Sequence, residues 1–410
     1  MDQLGQILMM MGRVFMETFT SPLFLLIYLF LFFIVSWQYK RMEDVSTRLL
    51  GIRSKRYLHS ALISTLLGLL GGLLGSLVVV FVGIDLNNIG ITQLWIIALG
   101  LMFINPRFLC FAYAGGVLSL FSLLFGYPEI NIPHLLGLIA VLHIVESILI
   151  LLNGHFLPVP LYIKKQEYLQ GAFNLQKFWP IPLIALVSTA YMDPGTGVSM
   201  PDWWPLLKSY TGLHQSQNYS LLPVVAILGY GEISTTSTPR LRSRYSAKNL
   251  ALFSISLLII SVWASHSPAL IPVAALFSPL GHEFVIWLGI REESNKKALY
   301  IKPSRGVMVL DVVSGSPAQK AGILSQDIIM SVNGQAVDQA YNLNAFLSAV
   351  GKSRIEIRRD NEEQFLNLHI KPGQQAGIIP VPEPLSGSYL QLNKDGIFDL
   401  ARRLWRKIKK

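Results

Sequence analysis

The stretch that decides the fold of the second part of this chain is Arg305–Ile370, RGVMVLDVVSGSPAQKAGILSQDIIMSVNGQAVDQAYNLNAFLSAVGKSRIEIRRDNEEQFLNLHI. Gly306–Val313 alternates and is rich in Val, which is typical of a half-buried strand. Asn333-Gly334 indicates a tight hairpin turn, because both central positions of such a turn need residues that tolerate positive φ. Apolar residues at helical spacing follow near 343–350, and two more alternating runs close the stretch. It therefore predicts a small water-soluble α+β domain.

The motifs of this stretch occur in a fixed order: GSPA at 315–318, Ala-Gly at 321–322, the lone acid Asp327, and VNG at 332–334. This order resembles that of PDZ domains of the bacterial type. Gln326 stands where the family usually has Gly, which affects a turn and leaves the groove intact. The resemblance implies a domain that captures an extended peptide as an added strand, with pockets that give specificity.

The resemblance places the peptide groove between a strand and a helix over 342–350. Its predicted walls are Val307, Val309, Leu343, Phe346, Leu347 and Val350. For each of these residues the alternative role is core packing, since so small a domain needs most of its apolar residues inside. Tyr300, Ile301 and Lys302 are predicted to form the loop at the end of the groove. Because Lys302 replaces a Gly found in many relatives, internal peptides remain an alternative to C-terminal ones.

The composition shows that most of the chain is not water-soluble. Of the 410 residues, 52% are hydrophobic and only 14% are charged, whereas soluble proteins have about 25% charged residues. The charges are scarce in the first 290 residues. The single cysteine, Cys110, excludes a disulfide within the chain and a cluster of several thiolates. These features predict a polytopic α-helical membrane domain of about 7–9 spans followed by the small PDZ-like domain.

Nine apolar runs are candidate spans, and the two shortest are expected to be partial or tilted, because a spanning helix needs roughly 20 residues. The two short runs are Trp179–Tyr191 and Leu221–Tyr230. The other runs are Leu23–Trp37, Tyr57–Gly83, Ile91–Ile104, Phe108–Gly126, Leu135–Leu152, Leu250–Ala264 and Pro268–Leu288.

The distribution of Lys and Arg predicts the orientation. With the N-terminus outside, the outer segments hold only Arg13 and Lys208, and the other basic residues of the membrane domain fall on the inner side. This bias is what the positive-inside rule requires. It predicts a multi-pass protein of the cell membrane whose PDZ-like domain and C-terminus are cytoplasmic. It also explains the net charge of +10 without a nucleic-acid partner.

Four segments follow from these patterns: a membrane domain over 1–290, a PDZ-like domain over 291–372, a Pro/Gly/Ser-rich linker over 373–394, and a basic amphipathic tail over 395–410. We expect the tail to lie on an anionic bilayer surface, as basic amphipathic helices do; a disordered basic tail is the alternative. The tail residues predicted to contact the membrane are Arg402, Arg403, Trp405, Arg406 and Lys407.

Four ionisable residues fall in apolar runs: His143, Glu146, His282 and Glu283. Such residues are costly in a membrane and mark function by default. His282-Glu283 starts an HExxH-like segment, but Ile286 replaces the second His that a zinc protease needs. We therefore predict no enzyme, no metal ion, no cofactor and no small-molecule substrate. An intramembrane enzyme or carrier that uses these four residues is the alternative hypothesis.

The segment Asn105–Tyr113, the run Pro279–Glu283 and a C-terminal PDZ-like domain together resemble the MinJ-type cell-division topological determinants of Gram-positive rods. The resemblance implies a non-enzymatic membrane scaffold at septum and poles. Its partners would be the pole-binding protein DivIVA and the division inhibitor MinD, which the scaffold bridges to keep septa at midcell.

Overall fold

Apolar helices build the first part of the molecule. The computed structural model describes residues 3–51, 56–165, 168–189, 200–208, 218–348, 351–383 and 389–391. Ser21, Asn131 and Thr238 precede three of the helices, with a proline in the first turn of each, a position where its missing N–H is not needed. The helices are α1 (Gln3–Thr20), α2 (Pro22–Leu50), α3 (Tyr57–Val82), α4 (Ile91–Ile104), α5 (Phe111–Phe125), α6 (Ile132–Asn153), α7 (Pro239–His266) and α8 (Ile271–Asn295).

Twelve strands, two short α-helices and the 3-10 helices Pro106–Leu109 and Pro268–Leu270 complete the described part of the chain. The strands of the first part are β1 (Val159–Lys165), β2 (Tyr168–Asn174), β3 (Lys177–Thr189), β4 (Asn218–Tyr230) and β5 (Ile233–Ser234). The later elements are β6 (Val307–Val312), α9 (Pro317–Lys320), β7 (Ile328–Val332), β8 (Gln335–Ala336), α10 (Ala340–Phe346), β9 (Gly351–Arg359), β10 (Glu362–Ile370), β11 (Ile378–Pro380) and β12 (Leu390–Gln391).

Five of the helices, α2, α3, α6, α7 and α8, are long and apolar enough to cross a membrane, and α4 and α5 are shorter apolar helices. Seven of the nine predicted runs are thus helical. The two short runs are not spans of helix, which corrects the prediction: they are the strands β3 and β4, paired antiparallel over their full length. Pro180 and Pro182 explain the difference, because a proline in a helix interior removes a hydrogen bond and clashes with the preceding turn.

The hairpin β3–β4 lies against α3. Strand β3 is 13 residues long, about 43 Å at the usual rise, and α3 is 26 residues long, about 39 Å. The two elements thus match in length. A Cβ at Gly68 would come within 2.2 Å of the Pro180 carbonyl oxygen, and one at Gly72 within 2.1 Å of that of Pro182. These glycines let the strand approach the helix backbone directly.

The free edge of β3 is closed by side chains and by two prolines. Inside an apolar bundle an unpaired backbone group is expensive, since water is absent. Pro180 and Pro182 have no N–H to satisfy. Three backbone N–H groups of this edge donate to side chains: Phe178 N to Tyr39 Oη (3.3 Å), Ile184 N to Ser76 Oγ (2.8 Å) and Ser188 N to Asp85 Oδ1 (3.1 Å). The Pro180 carbonyl oxygen accepts from the Tyr28 hydroxyl at 3.0 Å.

The second part of the chain folds as the sequence predicts. Its sheet has the strand order β10-β9-β7-β6-β11, with β8 paired to β7, and its core is formed by Val309, Ile329, Leu343 and Ile357 among others. Asn333 and Gly334 have positive φ, as the predicted turn requires. Gln326 also has positive φ, 76°, so it occupies a backbone position that favours glycine.

A shared apolar core joins the two parts of the molecule. Leu310, Ile379 and Val381 pack in the same cluster as residues of α6 and β2. Tyr300 is 1% exposed, its ring contacts that of Phe173 at 5.2 Å between centroids, and its carbonyl accepts from Gly171 N at 2.8 Å. The PDZ-like domain is thus packed directly on β2 of the first part of the chain.

An ionic network connects the start of α7 with the end of α8, from which the chain continues into this domain. The buried Arg242 guanidinium contacts carboxylates of Glu232 at 2.7 Å and Glu292 at 3.4 Å. Glu293 lies 3.6 Å from the same guanidinium and accepts from the backbone N–H of Thr235 at 2.6 Å. A buried charge requires such pairing, so the network defines where α8 ends and the second domain begins.

Candidate functional site

The predicted groove walls belong mostly to the core of the PDZ-like domain. Val307, Val309, Leu343 and Leu347 are at most 5% exposed and pack in a single cluster. Phe346 is half-buried at the margin of that cluster, and Val350 lies outside the described residues. These four residues are therefore not an open wall. The sequence left both roles open, because helical spacing marks an apolar face without saying what covers it.

The sheet edge to which a peptide would add is occupied by the chain itself. Strand β11 pairs antiparallel with β6, with Ile378 opposite Val312 and Ile379 opposite Asp311. Val313 N donates to Gly377 O at 2.8 Å, and Val381 N donates to Met308 O at 2.9 Å. The segment 377–383, part of the predicted linker, thus takes the place of an added strand.

An ion pair and a helix end hold the far end of this segment. The Glu383 carboxylate accepts from the backbone N–H of Ala340, at the start of α10, at 2.8 Å. It also lies 3.7 Å from the Lys302 ammonium. A carboxylate at a helix N-terminus is favourable, because the unpaired N–H groups carry partial positive charge. Lys302, the residue that replaces a Gly in the predicted loop, therefore binds a carboxylate of its own chain.

The other two predicted loop residues have different environments. Tyr300 is a contact with the membrane domain, and burial raises the pKa of its hydroxyl to about 12. Ile301 is 46% exposed beside it. Of the predicted loop, only Lys302 and Ile301 are therefore accessible to a partner.

Asp311 lies at the joint between the two domains. It is opposite Ile379 in the sheet and lines a cavity of about 50 Å³ together with Glu43, Arg56 and Pro160. Burial raises the pKa of the Asp311 carboxyl to about 6, although the Arg56 charge and a backbone hydrogen bond oppose that shift. Sequence analysis gave this residue no role, because an alternating strand pattern does not show which outward side chain another domain covers.

Two of the predicted intramembrane residues, His143 and His282, lie close together on either side of a cysteine. Cys110 Sγ is 3.1 Å from His143 Nε2 and 3.5 Å from His282 Nε2. The two imidazole rings are 5.3 Å apart between centroids. Helix α6 supplies His143, α8 supplies His282, and the turn before α5 supplies Cys110. Sequence analysis named both histidines but not Cys110 as their contact, since only packing brings the three helices together.

Two carboxylates, Glu283 and Glu146, lie near this cluster. Glu283 accepts from the Tyr113 hydroxyl at 2.5 Å and pairs with Arg107 at 3.1 Å. Glu146 lies one helical turn after His143 and interacts electrostatically with Cys110. The segment Asn105–Tyr113, noted in the sequence for its resemblance alone, thus provides three of the polar contacts at this place. The predicted tail residues Arg402, Arg403, Trp405, Arg406 and Lys407 lie outside the described part of the chain.

Comparison with known protein families identifies the class of the second domain. Residues 287–370 match the family described as PDZ domain. The chain therefore contains a PDZ domain, preceded by several long apolar helices. Among solved structures, the HtrA3 PDZ domain bound to a phage-derived ligand (FGRWV) is 30% identical, with coverage of 16% of this chain and 64% of that chain and a TM-score of 0.16.

A curated relative extends the similarity beyond this domain. The cell division topological determinant MinJ of Bacillus subtilis (strain 168) is 25% identical over 186 residues, which are 44% of this chain and 43% of that protein. Serine protease HTRA1A of Danio rerio is 33% identical over 63 residues, 15% of this chain and 13% of that protein. The chain thus matches less than half the length of either relative, and the protease similarity is confined to the PDZ domain.

Proposed function

We propose that this protein is a membrane-anchored scaffold whose PDZ domain binds protein partners and helps to position cell division. The similarity to MinJ and the PDZ domain support a cell-division scaffold. The partners that we propose are DivIVA and MinD, bridged at the membrane, and the sites of action are the septum and the poles. The PDZ domain and the C-terminus are proposed to face the cytoplasm, and the basic tail to bind the inner leaflet.

One observation carries the mode of binding: the edge of β6 pairs with β11 of the same chain. A partner strand that adds to this edge has to displace β11, because one row of backbone groups serves one strand at a time. The displaced segment is short, three residues in β11, and is followed by an ion pair with a half-exposed lysine. Exposed pairs contribute only about 0–1 kcal/mol, so exchange is feasible.

The proposed membrane orientation rests on the distribution of Lys and Arg described in the sequence analysis. Replacing two predicted spans by a hairpin leaves that distribution unchanged. Strand β3 runs along α3 and β4 runs back antiparallel to it. The chain therefore crosses and returns within this hairpin, as it would through the two predicted spans. Cysteines introduced at the exposed Asp202 and Ser314 test the proposal in intact cells. We expect an impermeant thiol reagent to label Asp202→Cys and not Ser314→Cys; labelling of Ser314→Cys contradicts a cytoplasmic PDZ domain.

A disulfide that locks β11 in place tests the exchange. Val312 and Ile378 face each other in the register, so the double variant Val312→Cys/Ile378→Cys is suited to a cross-strand disulfide. We expect the oxidised full-length protein in detergent to lose co-purification of DivIVA and MinD, and the reduced form to regain it. The reduced form is the matched control, since both forms contain the same substitutions.

A weakened anchor should have the opposite effect. Replacing Glu383 by Ala removes the contacts to Ala340 and Lys302 and is expected to tighten partner binding up to about fivefold, as a stabilisation of 0–1 kcal/mol is removed from the competing strand. Glu363→Ala is the control, because Glu363 pairs with Arg358 on an exposed part of the same domain.

For the disulfide experiment, equal partner binding by the oxidised and reduced forms of Val312→Cys/Ile378→Cys would place the partner site elsewhere.

A further inference from the structure

We propose that Cys110, His143 and His282 form a zinc site inside the membrane domain. Their ligand atoms Sγ, Nε2 and Nε2 all lie within 4.8 Å of one another. In a tetrahedral site with Zn–S near 2.3 Å and Zn–N near 2.0–2.1 Å, ligand atoms are about 3.3–3.6 Å apart. The distances from Cys110 Sγ to the two imidazole nitrogens, 3.1 and 3.5 Å, are close to that separation.

The protonation of His143 suits a metal ligand. Its Nδ1 lies 2.8 Å from the Ile139 carbonyl oxygen, which only accepts, so Nδ1 carries the proton. The lone pair of Nε2 is therefore directed at Cys110. A backbone carbonyl that fixes the second ring nitrogen is the usual support of a zinc-bound histidine.

The thiol proton of Cys110 cannot satisfy both imidazoles. One S–H group donates to one nitrogen, whereas Sγ is within contact distance of two. The second ring nitrogen of His282, Nδ1, is buried and has no hydrogen-bond partner in the described structure. A cation would instead be bound by one thiolate and two nitrogen lone pairs at once, the ligand set that zinc prefers.

The surroundings hold the rings and balance the charge. Phe253 contacts His143 at 5.8 Å and His282 at 5.5 Å between ring centroids, and Tyr113 contacts His282 at 5.2 Å. Glu146 has neither a hydrogen bond nor an ion pair in the described parts of the chain, and it acts electrostatically on Cys110. A divalent cation beside one thiolate and one carboxylate would give a neutral group, which lowers the cost of burial.

The site would act as a link between helices. Its three ligands come from the start of α5, from α6 and from α8, and Cys110 and His282 are 172 residues apart in the sequence. Helix α8 leads directly into the PDZ domain. The proposal departs from the prediction of no metal ion, which rested on a missing second histidine after His282; the second histidine comes from another helix.

Metal content of the purified full-length protein tests the site. We expect about one zinc ion per chain in the wild type, and loss to background in Cys110→Ser and His282→Ala. His266→Ala is the matched control, since His266 lies at the exposed end of α7 and contacts Ser265. Cobalt substitution should produce thiolate-to-metal charge-transfer absorption in the wild type and His266→Ala, and none in Cys110→Ser.

A measurement on the wild type alone keeps the proposal testable if the variants do not fold. Alkylation of Cys110, the only cysteine, should accelerate after chelation and slow again when zinc is added back. An alkylation rate that is the same with and without zinc overturns the proposal. Absence of bound metal in the wild type after growth and dialysis with zinc overturns it too, as does equal metal loss in His266→Ala.

Discussion

Two sheet edges in this molecule are closed in different ways. The edge of β3 is closed by α3 and by hydroxyl groups of Tyr28, Tyr39 and Ser76, none of which can leave without exposing backbone to an apolar interior. The edge of β6 is closed by β11, a three-residue strand of the same domain. Both arrangements satisfy the rule that open edges are covered. From this difference we predict that the first edge is permanent and the second exchangeable.

The largest expected effect comes from breaking the permanent edge. Gly72→Ala places a Cβ 2.1 Å from Pro182 O and 2.8 Å from Pro182 Cδ, so the strand has to move. We expect a loss of about 3 kcal/mol or more, at the upper end of overpacking effects, measured as thermal unfolding of the detergent-solubilised protein. Gly100→Ala is the control, since nothing lies within 4 Å of a Cβ there. Similar stability of the two variants would mean that β3 is not docked on α3.

A smaller effect should follow from removing one hydroxyl of the same edge. Ser76→Ala leaves the buried N–H of Ile184 without its acceptor at 2.8 Å, which should cost about 1–3 kcal/mol. The control is Ser261→Ala, because Ser261 is equally buried and donates only to Leu257 O of its own helix. Denaturant or thermal unfolding measures both; an equal loss in both variants would contradict edge closure by Ser76.

The smallest effect concerns the exchangeable edge and is seen as pH dependence. Since the pKa of Asp311 is raised to about 6 from 3.8, the folded state binds the proton more tightly than the unfolded state. The contribution of the Asp311 carboxyl to stability is therefore fully present below pH 4 and is lost as the pH rises through 6. Its size is on the order of 1 kcal/mol per pKa unit, and it is smaller here because the side chain is only half-buried. Asp311→Asn should remove this slope.

The control for that measurement is Asp44→Asn, at an exposed position of α2. Stability of the full-length protein is followed by thermal unfolding between pH 4 and pH 7.5 for the wild type and both variants. A wild-type slope that persists in Asp311→Asn would assign the titration to another group.

Leu347 shows how a groove residue differs from a core residue in the PDZ domain. From the sequence, Leu347 is either a groove or a core residue; in the structure it is 5% exposed within the core cluster. Leu347→Glu is therefore expected to unfold the PDZ domain rather than to block the groove. Partner binding is therefore tested with the disulfide between residues 312 and 378 and not with a substitution of Leu347.

The sequence by itself determined the two-part organisation, the seven helical runs and the PDZ strands, since these depend on local patterns of apolar residues and on turn residues such as Asn333-Gly334. It also contained the prolines Pro180 and Pro182, which mark β3 as a strand. Tertiary structure alone decided what covers each edge, because β6 and β11 are separated by more than sixty residues. It likewise decided that Cys110, His143 and His282 meet. Contacts between distant segments depend on packing, and no local pattern encodes them.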